Sequence, residues 1–190
     1  MCFTDKMKVL ITGIILLLLA LLLGLNLPDL DHQVQFLVHR SILTHGFLVP
    51  LGLFLVVYKE KTASPRFLSM GFSLAAVTHL CFDLFPRAWI GFALIHIPFW
   101  GRSRSVFSWV WISLSIIICL YLTFVLIQTL IDILVALGSL GVAFSFYAST
   151  QPIFWPALLT LLVMVGITLA LPANSREILH KVVSRKLKSV

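Results

Sequence analysis

The sequence predicts an all-α, polytopic integral membrane helical bundle with about six transmembrane helices, or five if residues 108–148 do not divide. Three observations predict it. Of 190 residues, 60% are hydrophobic and only 11% are charged, against about half and a quarter in an ordinary soluble domain. Mean hydropathy is +1.07. Apolar runs long enough to span a bilayer recur from one end of the chain to the other. A soluble core of that size could not be covered by the few polar residues left.

The apolar run from about residue 9 to 27 follows Lys6 and Lys8. It resembles a signal peptide, but it is long enough to span and no A-x-A pattern follows, so it reads as an uncleaved first helix. A second helix is expected over about 43–58, kinked at Pro50. Lys59, Glu60, Lys61, Ser64, Pro65 and Arg66 read as a turn, and a third helix as 67–85. Residues 86–107 mix Pro86, Arg87, Trp89, Pro98, Trp100, Arg102 and Arg104, the composition of an interfacial or re-entrant segment. As one helix, 108–148 would be about 60 Å long, so it is divided near Gln128 to Asp132. The last span is 153–172. Residues 1–172 form a single transmembrane domain, with the motifs in 24–104, and 173–190 form a basic cytoplasmic tail.

The net charge of +7 follows the topology and does not point to nucleic acid. Six spans put both termini on one side. Ten Lys and Arg fall on that side (6, 8, 59, 61, 66, 176, 181, 185, 186, 188) and four on the other (40, 87, 102, 104). The excess makes the terminal side cytoplasmic. Membrane lipids are the expected partners. Cys2, Cys81 and Cys119 show neither a CxxC nor an even count, which argues against a disulfide framework or a thiolate metal site.

The polar residues gather. Five of the six His lie between residues 32 and 96, and Asp29, Asp31 and Asp83 stand with them. In the six-span topology, Asp29, Asp31 and His32 follow the outer end of the first helix. His39, Arg40 and His45 lead into the second, and His79 and Asp83 occupy the outer turns of the third. His79 and Asp83, four apart, share a helix face. Asp29 and Asp31, two apart, face the same way only in an extended stretch, which Pro28 favours. His39 falls before the second helix and His45 in its first turn, with Ser41 as the expected N-cap.

Imidazole and carboxylate together suit a divalent metal: zinc, with manganese or iron also compatible. Asp31, His45, His79 and Asp83 are the leading ligands, with Asp29, His32 and His39 as further ligands or groups that orient them. Asp29 also suits catalytic work as a general base, and Arg40 suits a phosphate oxygen. His96 reads as an interfacial His, Arg102 and Arg104 as lipid-headgroup contacts, and Asp132 as the mark of a turn without a visible partner.

At these residues the chain resembles the YdjM-like family of membrane-bound, metal-dependent hydrolases. That family's pattern is roughly L-P-D-x-D-H, then H-R-x-x-T-H, then S/T-H-x-x-x-D. Here it reads "LPDLDH" (27–32), "HRSILTH" (39–45) and "THLCFD" (78–83), followed by Pro86 and Trp89. The resemblance covers about residues 24–104. It implies a metal-dependent hydrolase of a bacterial inner membrane, grouped by remote similarity with zinc-dependent phospholipase C enzymes. A phosphoester or phospholipid substrate is therefore expected, at a site on the non-cytoplasmic side. The chain departs from the pattern in having no His in the first helix, and in carrying Ser41 and Gly46 where many members have Gly and Ser. The alternatives from the residues alone are a proton- or metal-ion transporter built on the same Asp/His cluster and a non-catalytic membrane scaffold.

Overall fold

A computed structural model describes residues 3–33, 40–58, 60, 63–85, 94–151 and 153–171. The protein is all-helical. In chain order the α-helices are α1 (Phe3–Asn26), α2 (Leu48–Val57), α3 (Ala63–Asp83), α4 (Ser105–Leu126), α5 (Leu130–Thr150) and α6 (Trp155–Ala170). A 3-10 helix, Pro28–Gln33, follows α1, and a small antiparallel hairpin, β1 (His96–Ile97) and β2 (Gly101–Arg102), precedes α4.

α3 stands at the centre. It packs on α1, α2, α4, α5 and α6, and every residue from Ser69 to Phe82 is buried. Its place explains its composition. A helix that meets neighbours on all sides needs small side chains to let their backbones approach, and α3 supplies Ser69, Gly71, Ser73, Ala75 and Ala76. The approach is closest to α1. A Cβ on Gly24 would lie 2.7 Å from the Ala75 Cβ and 2.8 Å from the Phe72 carbonyl oxygen. One on Gly71 would lie 2.7 Å from Leu17 Cδ1. Ala20 and Gly24 on α1 thus interlock with Gly71 and Ala75 on α3, two small-xxx-small pairs face to face.

The division of 108–148 falls at residues 127–129, as the length argument predicts. Asp132 makes the break. Its Oδ2 accepts from the amides of Thr129 at 2.8 Å and Gln128 at 2.9 Å, while its own amide donates to Thr129 Oγ1 at 3.3 Å. This is a reciprocal N-terminal cap. Asp132 is not alone, as the sequence suggests, because Arg66 Nη2 from the start of α3 lies 3.5 Å from its Oδ1 and both side chains are buried. This pair and the His79/Asp83 pair therefore occupy opposite ends of α3.

Five local expectations are corrected. Ser64, Pro65 and Arg66 belong to α3 and not to a turn, and His45 lies in the turn before α2 and not in its first turn. Pro50 does not kink a helix. α2 starts at Leu48, so Pro50 is its third residue, where a missing N–H costs no intrahelical bond. Ser41 is not its N-cap, since the cap position belongs to Phe47, which makes no side-chain cap bond. The segment after Pro28 is not extended but turns as a 3-10 helix.

α4 and α5 are long and apolar enough to cross a membrane. The apolar helical stretches Ile11–Asn26, Leu48–Val57 and Trp155–Ala170 are shorter. The outer surface is apolar along most helices: α1 exposes Ile11, Ile14, Ile15, Leu18, Leu22 and Leu23, and α5 exposes Leu130, Leu134, Leu137, Val142 and Phe146.

Candidate metal centre

The end of α3 carries His79 and Asp83, and the fold brings three other segments to it. The first is the junction of α1 with the 3-10 helix. Close α1–α3 packing at Gly24 brings the Leu25 carbonyl to 3.1 Å from His79 Nδ1. A carbonyl only accepts, so Nδ1 carries the proton and donates. In the neutral ring the lone pair is then on Nε2. The Tyr147 hydroxyl on α5 reaches the same Nδ1, and the Tyr147 ring stacks on Phe82. His79 is thus held from behind, and its Nε2 lies 3.3 Å from Asp83 Oδ2.

The second segment is the turn over residues 40–46, which presents His45. Its Nδ1 lies 3.3 Å from Asp31 Oδ2 and 3.1 Å from Thr44 Oγ1. Asp31 is fixed in turn. Its Oδ2 accepts from the Ser41 amide and the Thr44 hydroxyl, both at 3.1 Å. The His45 carbonyl accepts from Trp111 Nε1 at 2.9 Å, and Gly46 leaves room for the Trp111 ring, which a Cβ there would meet at 2.8 Å. With Nδ1 directed to Asp31, His45 turns Nε2 toward Asp83 Oδ2 at 3.5 Å.

The third segment is the hairpin, which holds the turn by its backbone. His96 donates its amide to the Arg40 carbonyl at 2.8 Å and accepts from the Ile42 amide at 2.9 Å. Arg40 itself sits in the left-handed region at φ 64°, which costs an L-residue with a Cβ about 1–2 kcal/mol. Its Nη2 lies 4.0 Å from Asp83 Oδ1.

The outcome is one cluster. Ligand atoms of Asp29, His45 and His79 all lie within 4.8 Å of one another, and this group can hold a metal ion. Asp29 is exposed while both His are buried. Asp29, a further ligand candidate in the sequence, is the carboxylate in the converging group, and Asp31, a leading candidate there, stands behind His45. Asp83 Oδ2 is buried, and two imidazole Nε2 atoms face it, His79 at 3.3 Å and His45 at 3.5 Å. A lone pair on His79 Nε2 against a carboxylate oxygen is repulsive, and either a proton on Nε2 or a metal ion between the two atoms relieves it. The donor set fits a divalent metal: two imidazoles tied at Nδ1 with Nε2 turned inward, and carboxylates around them.

The sequence-predicted residues Asp29, Asp31, Arg40, His45, His79 and Asp83 come together in this way. His39 and the side chain of His32 lie outside the described residues. His96 contributes its backbone. Sequence reasoning missed Tyr147, Trp111 and the Leu25 carbonyl, which reach the site across 68, 66 and 54 residues of chain. No protein-family model, curated protein or solved structure matches the chain.

Proposed function

We propose that the chain is a polytopic membrane protein of the YdjM-like kind, a metal-dependent hydrolase acting on phosphoester or phospholipid substrates. The observation that carries this reading is the convergence of Asp29, His45 and His79 beside a buried Asp83 oxygen that both imidazole Nε2 atoms face. His45, His79 and Asp29 hold the ion, with Asp83 Oδ2 beside them. Zinc is the first choice for two imidazoles with carboxylates, ahead of manganese and iron. A divalent cation there supplies Lewis-acid activation of a phosphoryl oxygen or of water. Asp31 holds His45 in its working tautomer. Arg40, beside Asp83, is the anion partner for a phosphate oxygen.

The membrane reading draws on the two span-length helices and on the large apolar side chains exposed along α1, α4, α5 and α6. Six spans with cytoplasmic termini set the site at the non-cytoplasmic face, in agreement with the Lys and Arg distribution. The transporter alternative gains nothing from Asp132, which is occupied by Arg66 and by the cap of α5.

The test is metal content of the detergent-purified protein, wild type beside His79→Ala and Asp29→Ala, followed by a phosphodiester and phospholipid panel. Stoichiometric metal in the wild type, lost in both variants, with turnover that follows the metal, is the expected result. A folded, monodisperse wild type that takes up no metal on add-back overturns it.

A further inference from the structure

The β1–β2 hairpin has a tip that the fold leaves bare. Phe99 and Trp100 are 103% and 86% exposed, although they are among the largest apolar side chains of the protein. The backbone beneath them is strained, with Phe99 in the left-handed region at φ 69° and Gly101 at φ 86°. Gly takes that conformation freely, but Phe does so at a cost. A two-stranded hairpin alone is marginal in water, and among the described residues nothing packs on this tip to offset the strain. Arg102 and Arg104 follow directly and are exposed. No Asp or Glu occurs from Leu84 to Ile131, and among the described residues neither Arg102 nor Arg104 makes an ion pair. Beyond the hairpin the first turns of α4 expose Val106, Phe107, Trp109 and Val110. The apolar surface therefore runs from the two rings onto the outward face of α4, with the arginines between.

Aromatic rings at headgroup depth, flanked by cations, match a bilayer interface. The base of the hairpin is tied inward on both sides. Ser108 Oγ accepts from the Ile95 amide at 2.9 Å and meets Ser103 Oγ at 2.7 Å. His96 clasps Arg40 and Ile42, and Ser41, between them, accepts the His45 amide at 2.8 Å on its carbonyl.

We propose that the hairpin is a docking surface for anionic phospholipid headgroups, and that through His96 headgroup contact steadies the turn that carries Arg40 and His45. The proposal rests on the membrane reading above and is independent of the metal and of hydrolysis.

The experiment is hydrogen–deuterium exchange on the full chain in phosphatidylcholine vesicles, with and without phosphatidylglycerol. Wild type is compared with Arg102→Gln/Arg104→Gln. Phosphatidylglycerol is expected to slow exchange in peptides covering 95–104 and 40–46 of the wild type. The double variant loses both effects while its α4 and α5 amides stay protected. Exchange that ignores phosphatidylglycerol in the wild type overturns the proposal. So does slowing by inorganic phosphate alone in phosphatidylcholine vesicles. A chain that fails to float with vesicles of either composition sinks the membrane reading and this proposal together. A chain that floats, with protected α4 and α5 and a lipid-insensitive hairpin, sinks this proposal alone.

Discussion

His45 and His79 meet edge to face with ring centroids 5.5 Å apart, and each turns its Nε2 toward the same oxygen, Asp83 Oδ2. Each ring is fixed by its own segment, His45 by the turn over 40–46 and His79 by α3, so neither can replace the other. His45→Ala and His79→Ala are each expected to abolish high-affinity metal binding, and the double variant to bind no worse than either single one. Titration calorimetry with zinc decides this. Metal affinity that survives one substitution and falls only in the double variant would show that the rings serve separate sites.

Asp31 stands behind His45, and in the proposed function it would act on the metal through that ring. Asp31→Asn keeps the shape of the side chain but removes the charge behind His45 Nδ1. Loss of such an orienting carboxylate costs about 10–100-fold in metal affinity. Thr44→Val, which removes one of the donors to Asp31, is expected to cost less. Equal affinity in Asp31→Asn and wild type would contradict the role assigned to Asp31.

Tyr147→Phe keeps the ring that stacks on Phe82 and removes only the hydroxyl at His79. A net hydrogen bond contributes about 1 kcal/mol, so metal affinity should fall several-fold with little change in thermal stability. A large drop in melting temperature with unchanged affinity would mark Tyr147 as a packing residue only.

Gly24→Leu places a side chain where the backbone of α3 already lies. Overpacking of this kind costs about 1–3 kcal/mol. Because Leu25 is the next residue, metal binding should weaken along with stability. Gly52→Ala is the control: a Cβ there meets nothing within 4 Å, and Ala favours a helix over Gly by up to about 1 kcal/mol. Melting curves in detergent, with and without zinc, separate the two effects.

At the far end of α3, Arg66→Met leaves Asp132 buried without its charge partner. Breaking a buried pair from one side costs about 3–5 kcal/mol. Arg66→Met/Asp132→Asn should recover part of that loss, since Asn can still accept from the Thr129 and Gln128 amides. Zinc stoichiometry should not change in either variant, because this pair serves packing and not the metal.

Much of this architecture is legible in the sequence. Hydropathy and length alone divide 108–148 at the right residues, because an apolar helix must end where Thr129 and Asp132 can satisfy its first amides. The motif spacing brings Asp29, Asp31, Arg40, His45, His79 and Asp83 to one place, because the few polar groups of an apolar chain collect at helix ends. The rest depends on tertiary geometry. Whether Asp29 or Asp31 joins the ligand group turns on the 3-10 winding after Pro28, where side chains two apart diverge, and an extended stretch would arrange them differently. The hairpin gave no alternating pattern, because its strands are two residues each. Tyr147, Trp111 and the Arg66–Asp132 pair look like ordinary residues of apolar helices until helices distant in sequence are packed together.

The acceptor that sets the tautomer of His79 belongs to no side chain. It is the carbonyl of Leu25, and an alanine scan would pass over it, since Leu25→Ala leaves that oxygen in place. What encodes it is the neighbouring Gly24, through the distance it allows between two helices. In this protein the chemistry of an imidazole is written partly as a spacing, and a residue with no functional group of its own can switch it off.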